Sequence, residues 1–103
     1  MLTKENAINQ AKAFVEACKD KGISIEKGIL FGSVAKDRQH EYSDIDIALI
    51  SNRFTKNFIN NIKLTTPVNI KFPAIEVHHF NSEYYKQGDP FINEINATGL
   101  EIV

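Results

Sequence analysis

Leu30-Phe31-Gly32-Ser33-Val34-Ala35, followed after a polar loop by Ser43-Asp44-Ile45-Asp46-Ile47-Ala48-Leu49-Ile50, is the stretch that decides how this 103-residue chain folds. Ile29-Leu30-Phe31 reads as a short buried strand ending at Gly32. Asp44 to Ile50 reads as a second strand. There Asp44, Asp46 and Ala48 share one face, and Ile45, Ile47 and Leu49 the other. On a helix the two aspartates would diverge by about 200°; on a strand they stand roughly 7 Å apart and point the same way. Aspartate is a poor strand former, so a pair of them among four apolar neighbours asks for a reason. Binding a divalent cation is one; capping a turn and facing solvent is the other.

Outward from this centre, residues 3–21 predict an amphipathic helix. Ile8, Ala11, Phe14, Val15 and Cys18 recur at three- and four-residue spacing, Thr3 is placed to cap the start and Gly22 to stop the end. Phe54, Phe58, Ile59 and Ile62 predict a short helix over 54–64 packed on the sheet. Ile70-Lys71-Phe72 and then Ala74 to Phe80 predict a third strand, with Pro73 at an edge or bulge. Within it Ile75 and Val77 face one way, Glu76 and His78 the other. Asp89-Pro90-Phe91-Ile92-Asn93-Glu94-Ile95 opens like a capped helix that Gly99 closes, and Leu100-Glu101-Ile102-Val103 reads as a last short strand. The expected fold is α/β (α+β): a small mixed, mostly antiparallel sheet with helices on one side, residues 1–103 forming a single domain.

Composition narrows the function. The net charge of −1, with both signs interspersed, gives no footprint for stable duplex nucleic-acid binding. No apolar run reaches the roughly 20 residues of a membrane span. A single cysteine, Cys18, excludes an internal disulfide and suits a reducing compartment, so a cytoplasmic location is expected. Cys18 lies on the apolar stripe of its helix and reads as a buried thiol rather than a nucleophile.

Glu76 supplies a third acid. Three carboxylates brought within a few Ångström repel one another unless cations, protons or distance intervene. Mg²⁺ takes one or two carboxylates and accepts substrate phosphates as further ligands, and two such ions can serve an in-line displacement. Gly32-Ser33 follows a strand and predicts a short helix at Ser33–Lys36, whose first N–H groups and the Ser33 hydroxyl suit a phosphate; a plain tight turn with a serine cap is the alternative. Lys36 and Arg38 read equally as phosphate ligands or as a solvated loop. His78 shares the face of Glu76 and could reach the site, with a structural role as the alternative; His79 should point away. Tyr84 and Tyr85 could stack on a base but read better as packing or surface residues. Glu83 follows the strand rather than lying in it, which makes it a poorer third acid than Glu76.

The run Gly32-Ser33-Val34-Ala35 through Ser43-Asp44-Ile45-Asp46 resembles the nucleotidyltransferase superfamily that includes DNA polymerase beta. More closely it is similar to the minimal nucleotidyltransferases of prokaryotes, with their Gly-Ser-x-Ala-x-Gly and then Ser-Asp-x-Asp. The resemblance continues through Ala74-Ile75-Glu76-Val77-His78, Pro90 to Ile95 and Thr98 to Ile102, nearly the whole chain. It implies a polymerase beta-like fold in which Asp44 and Asp46 bind two Mg²⁺ ions, Glu76 completes the metal site, and Gly32 and Ser33 hold the β- and γ-phosphates of a nucleoside triphosphate, ATP favoured. The reaction implied is attack on the α-phosphorus with pyrophosphate leaving. A catalytic set of Asp44, Asp46 and Glu76 follows, with Gly32, Ser33, Lys36 and Arg38 as nucleotide-binding residues. The resemblance further implies an antitoxin that adds AMP to a tyrosine of a HEPN-type partner toxin; with no second domain to hold an acceptor, the acceptor is expected to come with a partner. Two other readings stay open: a binding module that neutralises a partner by covering it, and transfer to a small molecule. Two departures from the family pattern stand out. Asp37 replaces the second glycine in a turn that needs a left-handed backbone, its charge offset by Lys36 and Arg38, and Glu76 replaces the commoner aspartate.

Overall fold

A computed structural model describes residues 2–39 and 43–103; the end of the polar loop expected before Ser43 (residues 40–42) lies outside the described residues. The elements run α1 (Lys4–Asp20), β1 (Lys27–Phe31), β2 (Ile45–Ser51), α2 (Phe58–Asn69), β3 (Ile75–Asn81), α3 (Ser82–Gln87), α4 (Pro90–Thr98) and β4 (Leu100–Glu101). Thr3 and Asn6 form a reciprocal cap on α1, satisfying N–H groups that a helix start leaves without partners. Among the described residues no helix is long and apolar enough to cross a membrane.

The sheet order is β3-β2-β1-β4. β1 pairs antiparallel with both β2 and β4, whereas β2 and β3 run parallel, which gives the expected mixed, mostly antiparallel sheet. Alternation along β1 and β2 divides the apolar residues between two cores. Leu30, Ile45, Ile47 and Leu49 join Ala7, Ala11, Phe14, Val15 and Cys18 of α1 and Val68 of α2. Ile29, Phe31, Ala48 and Ile50 face the other way, onto Tyr85 of α3 and Ile92 and Ile95 of α4. Helices on one side therefore describes α1 and α2 alone. The physical reason lies in β1 and β2, whose second face is itself apolar away from Asp46 and must be covered. Burial holds the Cys18 thiol up at about 11, so it is a core side chain as expected.

Three expected boundaries shift. The helix predicted over 54–64 is Phe58–Asn69, with Asn57 capping it through a bond from the Asn60 N–H of 3.0 Å. Its buried residues are Asn61, Thr65 and Val68, while Phe58 and Ile59 are 68% and 58% exposed. The buried face is thus partly polar, which hydrophobic spacing does not register. Phe54 is fully buried but precedes the helix, its loop fixed by two 2.8 Å bonds between Asn61 and the backbone of Thr55. Residues 70–72 are helical turns rather than strand, because Ile70, Lys71 and Phe72 donate N–H groups back to Thr66, Val68 and Asn69. The strand starts only after Pro73, at Ile75. α3 carries no prediction from the sequence, since six residues are too few for a helical repeat to be read.

Candidate active site

The end of β1 and the start of β2 lie side by side, Phe31 opposite Asp46. Parallel pairing of β2 with β3 then sets Asp46 opposite Glu76 and Ala48 opposite His78. Glu76 and His78, two residues apart on one strand, share a face. Asp46, Glu76 and His78 each present a ligand atom within 4.8 Å of the others. His78 Nε2 stands 3.3 Å from Asp46 Oδ1, in a side chain of Asp46 that is 23% exposed.

Gly32 closes this corner from the other side. Its φ of +76° belongs to the left-handed region that favours glycine, and a Cβ there would stand 2.5 Å from Asp46 Oδ2. That is well inside contact distance. The backbone of the Gly-Ser turn therefore touches the carboxylate of Asp46, and only glycine permits both the angle and the approach.

Electrostatics follows the crowding. Lost hydration and then the charge of the Asp46 carboxylate hold the exposed Glu76 above the usual carboxylate value; Asp44 adds to the rise and His78 opposes it. A proton or a cation relieves such a cluster. Two carboxylates and an imidazole fit a divalent metal ion.

The remaining expected residues fall less tightly together. Asp44 is exposed, one residue before β2, outside the close group although its charge reaches Glu76. Ser33 is half-buried at the start of the turn. The short helix expected over Ser33–Lys36 is a single turn: Asp37 N–H bonds Val34 O at 3.1 Å and Arg38 N–H bonds Ser33 O at 2.8 Å. Asp37 sits at φ +56°. This is the crossed pair of bonds that ends helices around a left-handed residue, so the turn closes before it can propagate. The left-handed Asp37 is as expected, but its charge is met by Lys4 Nζ at 3.3 Å rather than by its neighbours. Lys36 instead binds Glu94 Oε1 at 3.0 Å. Arg38 is exposed and makes no ion pair among the described residues.

His79 points to the opposite face, as expected, with Nε2 2.7 Å from Thr65 Oγ1 and its ring edge-on to Phe54 at 4.8 Å. Burial, with a smaller push from His78, lowers its pKa to about 4. Tyr85 is buried, bonds Asn96 Oδ1 at 2.6 Å and packs edge-on against Phe80. Tyr84 is exposed and tied to Asp89. Glu83 lies in the first turn of α3. His78, left open by the sequence between the site and a structural role, lies beside Asp46, as its two-residue spacing from Glu76 allows. Sequence reasoning missed Glu94 and Lys4, since ion pairs between distant elements leave no local pattern.

A family profile described as nucleotidyltransferase domain matches residues 11–97. The chain belongs to that family. The nucleotidyltransferase fold recurs in solved structures that resemble this one. One is a candidate nucleotidyltransferase from Sulfolobus solfataricus, at a TM-score of 0.68 and 16% identity over 95% of this chain and 80% of that one. A toxin–antitoxin structure with AMP-PNP matches at 0.63 and 19% identity, over 89% and 72% of the two chains. A mutant of the toxin–antitoxin pair MntA–HpeT matches at 0.61 and 17% identity, over 88% and 70%. At these identities the likeness is one of fold. No curated protein sequence matches the chain.

Proposed function

We propose that this nucleotidyltransferase domain moves a nucleoside monophosphate, with ATP the favoured donor, onto a hydroxyl of a partner protein. The partner class we infer is a HEPN-type toxin modified on a tyrosine, which makes the chain its antitoxin. The observation that carries the reading is the contact between the Gly32 turn and the carboxylate of Asp46, which faces Glu76 across the strand pair. A phosphate-sized anion at the turn would lie beside the acids. Mg²⁺ held there would neutralise the phosphates and polarise the α-phosphorus toward an in-line attack. Asp46 and Glu76 are the metal ligands in this reading, with Asp44 joining them from its exposed position before β2. Gly32 and Ser33 offer backbone N–H groups and a hydroxyl to the β- and γ-phosphates. Likeness in fold to two toxin–antitoxin structures, one with AMP-PNP, supports the partner and donor classes.

One observation favours a second reading, a binding module that neutralises its partner by contact. Lys36, an expected phosphate ligand, is held by Glu94. The Asp44→Asn/Asp46→Asn variant separates the two. Loss of partner control with the complex intact supports catalysis, and unchanged control supports the binding module.

A further inference from the structure

We propose that His78 supplies a nitrogen ligand beside Asp46 and Glu76, so that this site takes a later first-row transition ion in preference to Mg²⁺. The inference rests on the reading of Asp46 and Glu76 as metal ligands and adds to it a residue and a preference.

Register brings the three together. Asp46 pairs with Glu76 and Ala48 with His78 across parallel strands, so the imidazole and the Glu76 carboxylate rise from one face of β3 and flank Asp46. Their ligand atoms lie within 4.8 Å of one another. Ligands about 2.1 Å from one octahedral ion stand roughly 3 Å apart when adjacent and about 4.2 Å when opposite. The 3.3 Å between His78 Nε2 and Asp46 Oδ1 matches the adjacent spacing, so little movement is needed to close both around an ion.

The imidazole is also held in place. Phe31 meets its ring edge-on at 4.9 Å and Phe91 at 5.9 Å, fixing its plane with Nε2 toward Asp46. Such packing pre-orients a ligand. The donor set decides the preference. Mg²⁺ favours oxygen and its own waters, whereas imidazole nitrogen favours later first-row ions. One nitrogen with two carboxylate oxygens therefore shifts the site away from Mg²⁺. The competing role for His78 is a hydrogen bond that orients Asp46 and no contact with metal. Glutamine at this position keeps an N–H donor but removes the ring nitrogen.

Pulsed electron paramagnetic resonance on the full chain with Mn²⁺ alone tests this, using protein grown with ordinary and with ¹⁵N-labelled histidine. The expected result is a nitrogen coupling to bound Mn²⁺ that changes with the label. His78→Gln should abolish it and weaken Mn²⁺ binding roughly 10–100-fold, at least the effect of losing an outer partner of a metal ligand, with a smaller change in Mg²⁺ affinity by competition. Should Mn²⁺ bind in a manner lost on Asp46→Asn but show no nitrogen coupling, the carboxylate site stands and the His78 assignment falls. That assignment falls equally if His78→Gln weakens binding while the unaltered protein shows no coupling. If no form binds Mn²⁺, both the His78 ligand and the carboxylate site are overturned. Because the label marks all three histidines, His78→Asn serves as a second variant should glutamine fail to fold, and a nitrogen coupling that survives a folded His78 variant overturns the proposal.

Discussion

Substituting alanine at Gly32 tests how closely fold and chemistry are joined at one atom. Two costs can be separated, because Gly22 has a similar backbone angle with nothing around it. At Gly22, φ is +87° and an added Cβ would meet no atom within 4 Å; at Gly32, φ is +76° and the Cβ would meet Asp46 Oδ2 at 2.5 Å, Cγ at 3.3 Å and Cβ at 3.5 Å. Gly22→Ala should therefore carry the backbone term alone, about 1–2 kcal/mol. For a chain of this size that lowers the melting temperature by roughly 4–16 °C. Gly32→Ala carries the same term and a clash. Ordinary contact begins near 3.4 Å, so Asp46 Oδ2 must retreat by about 0.9 Å, the difference between 3.4 and 2.5 Å. The end of the side chain can swing, but β2 lies between β1 and β3, so it is pushed from Gly32 toward Glu76 and His78 and loses its set position among them. Misplacing a catalytic group by about 1 Å can cost roughly 100-fold in rate. Thermal unfolding and nucleotidyl transfer would be measured on both variants. The expected outcome is destabilisation in both, with transfer retained in Gly22→Ala and lost in Gly32→Ala. Full transfer by Gly32→Ala would refute the reasoning, since it would mean that the Asp46 position does not depend on this contact.

Other expectations rest on separate parts of the structure. His79 has a folded-state pKa of about 4, below its ordinary 6.5, so the unfolded chain takes up more protons between these values. Its contribution is complete above about pH 6.5 and falls as pH drops toward 4, amounting to about 2 kcal/mol between pH 7 and pH 5. Denaturant unfolding at the two pH values should show this loss, and His79→Gln should remove most of the difference. Cys18, buried with its thiol held up at about 11, should resist an aromatic disulfide reagent at pH 8 in the folded chain and react at once in denaturant. Glu94→Gln releases Lys36 from its 3.0 Å partner; the exposed pair is worth about 0–1 kcal/mol, so stability should barely change while triphosphate binding tightens at low salt. Unchanged binding would remove Lys36 from the phosphate site.

The centre of the fold was legible because β2 carries a two-residue alternation that no helix reproduces, with both cores written into its odd and even positions. Thr3, Asp89 and Gly99 marked helix ends through local chemistry that works within a few residues. Where local patterns gave out, so did the reading. α2 buries Asn61 and Thr65 and exposes Phe58, so apolar spacing placed it four residues early. The second covered face depended on α3 and α4 folding back across β1 and β2, a tertiary fact. In the site, Gly32, Asp46 and Glu76 were named from the sequence, but their meeting depended on β3 lying parallel beside β2. Lys36 was expected near a phosphate and is tied to Glu94 from 58 positions along the chain, a pairing no local pattern announces.

The central claim is nucleotidyl transfer at the Asp46 and Glu76 site. The direct measurement incubates the protein with divalent metal, lysate from its source organism, and nucleoside triphosphate labelled either at the α- or at the γ-phosphorus, beside the Asp46→Asn variant. The account predicts that an acceptor takes up the α label and not the γ label, and only from the unaltered protein. Uptake of the γ label, or equal α labelling by Asp46→Asn, would contradict it.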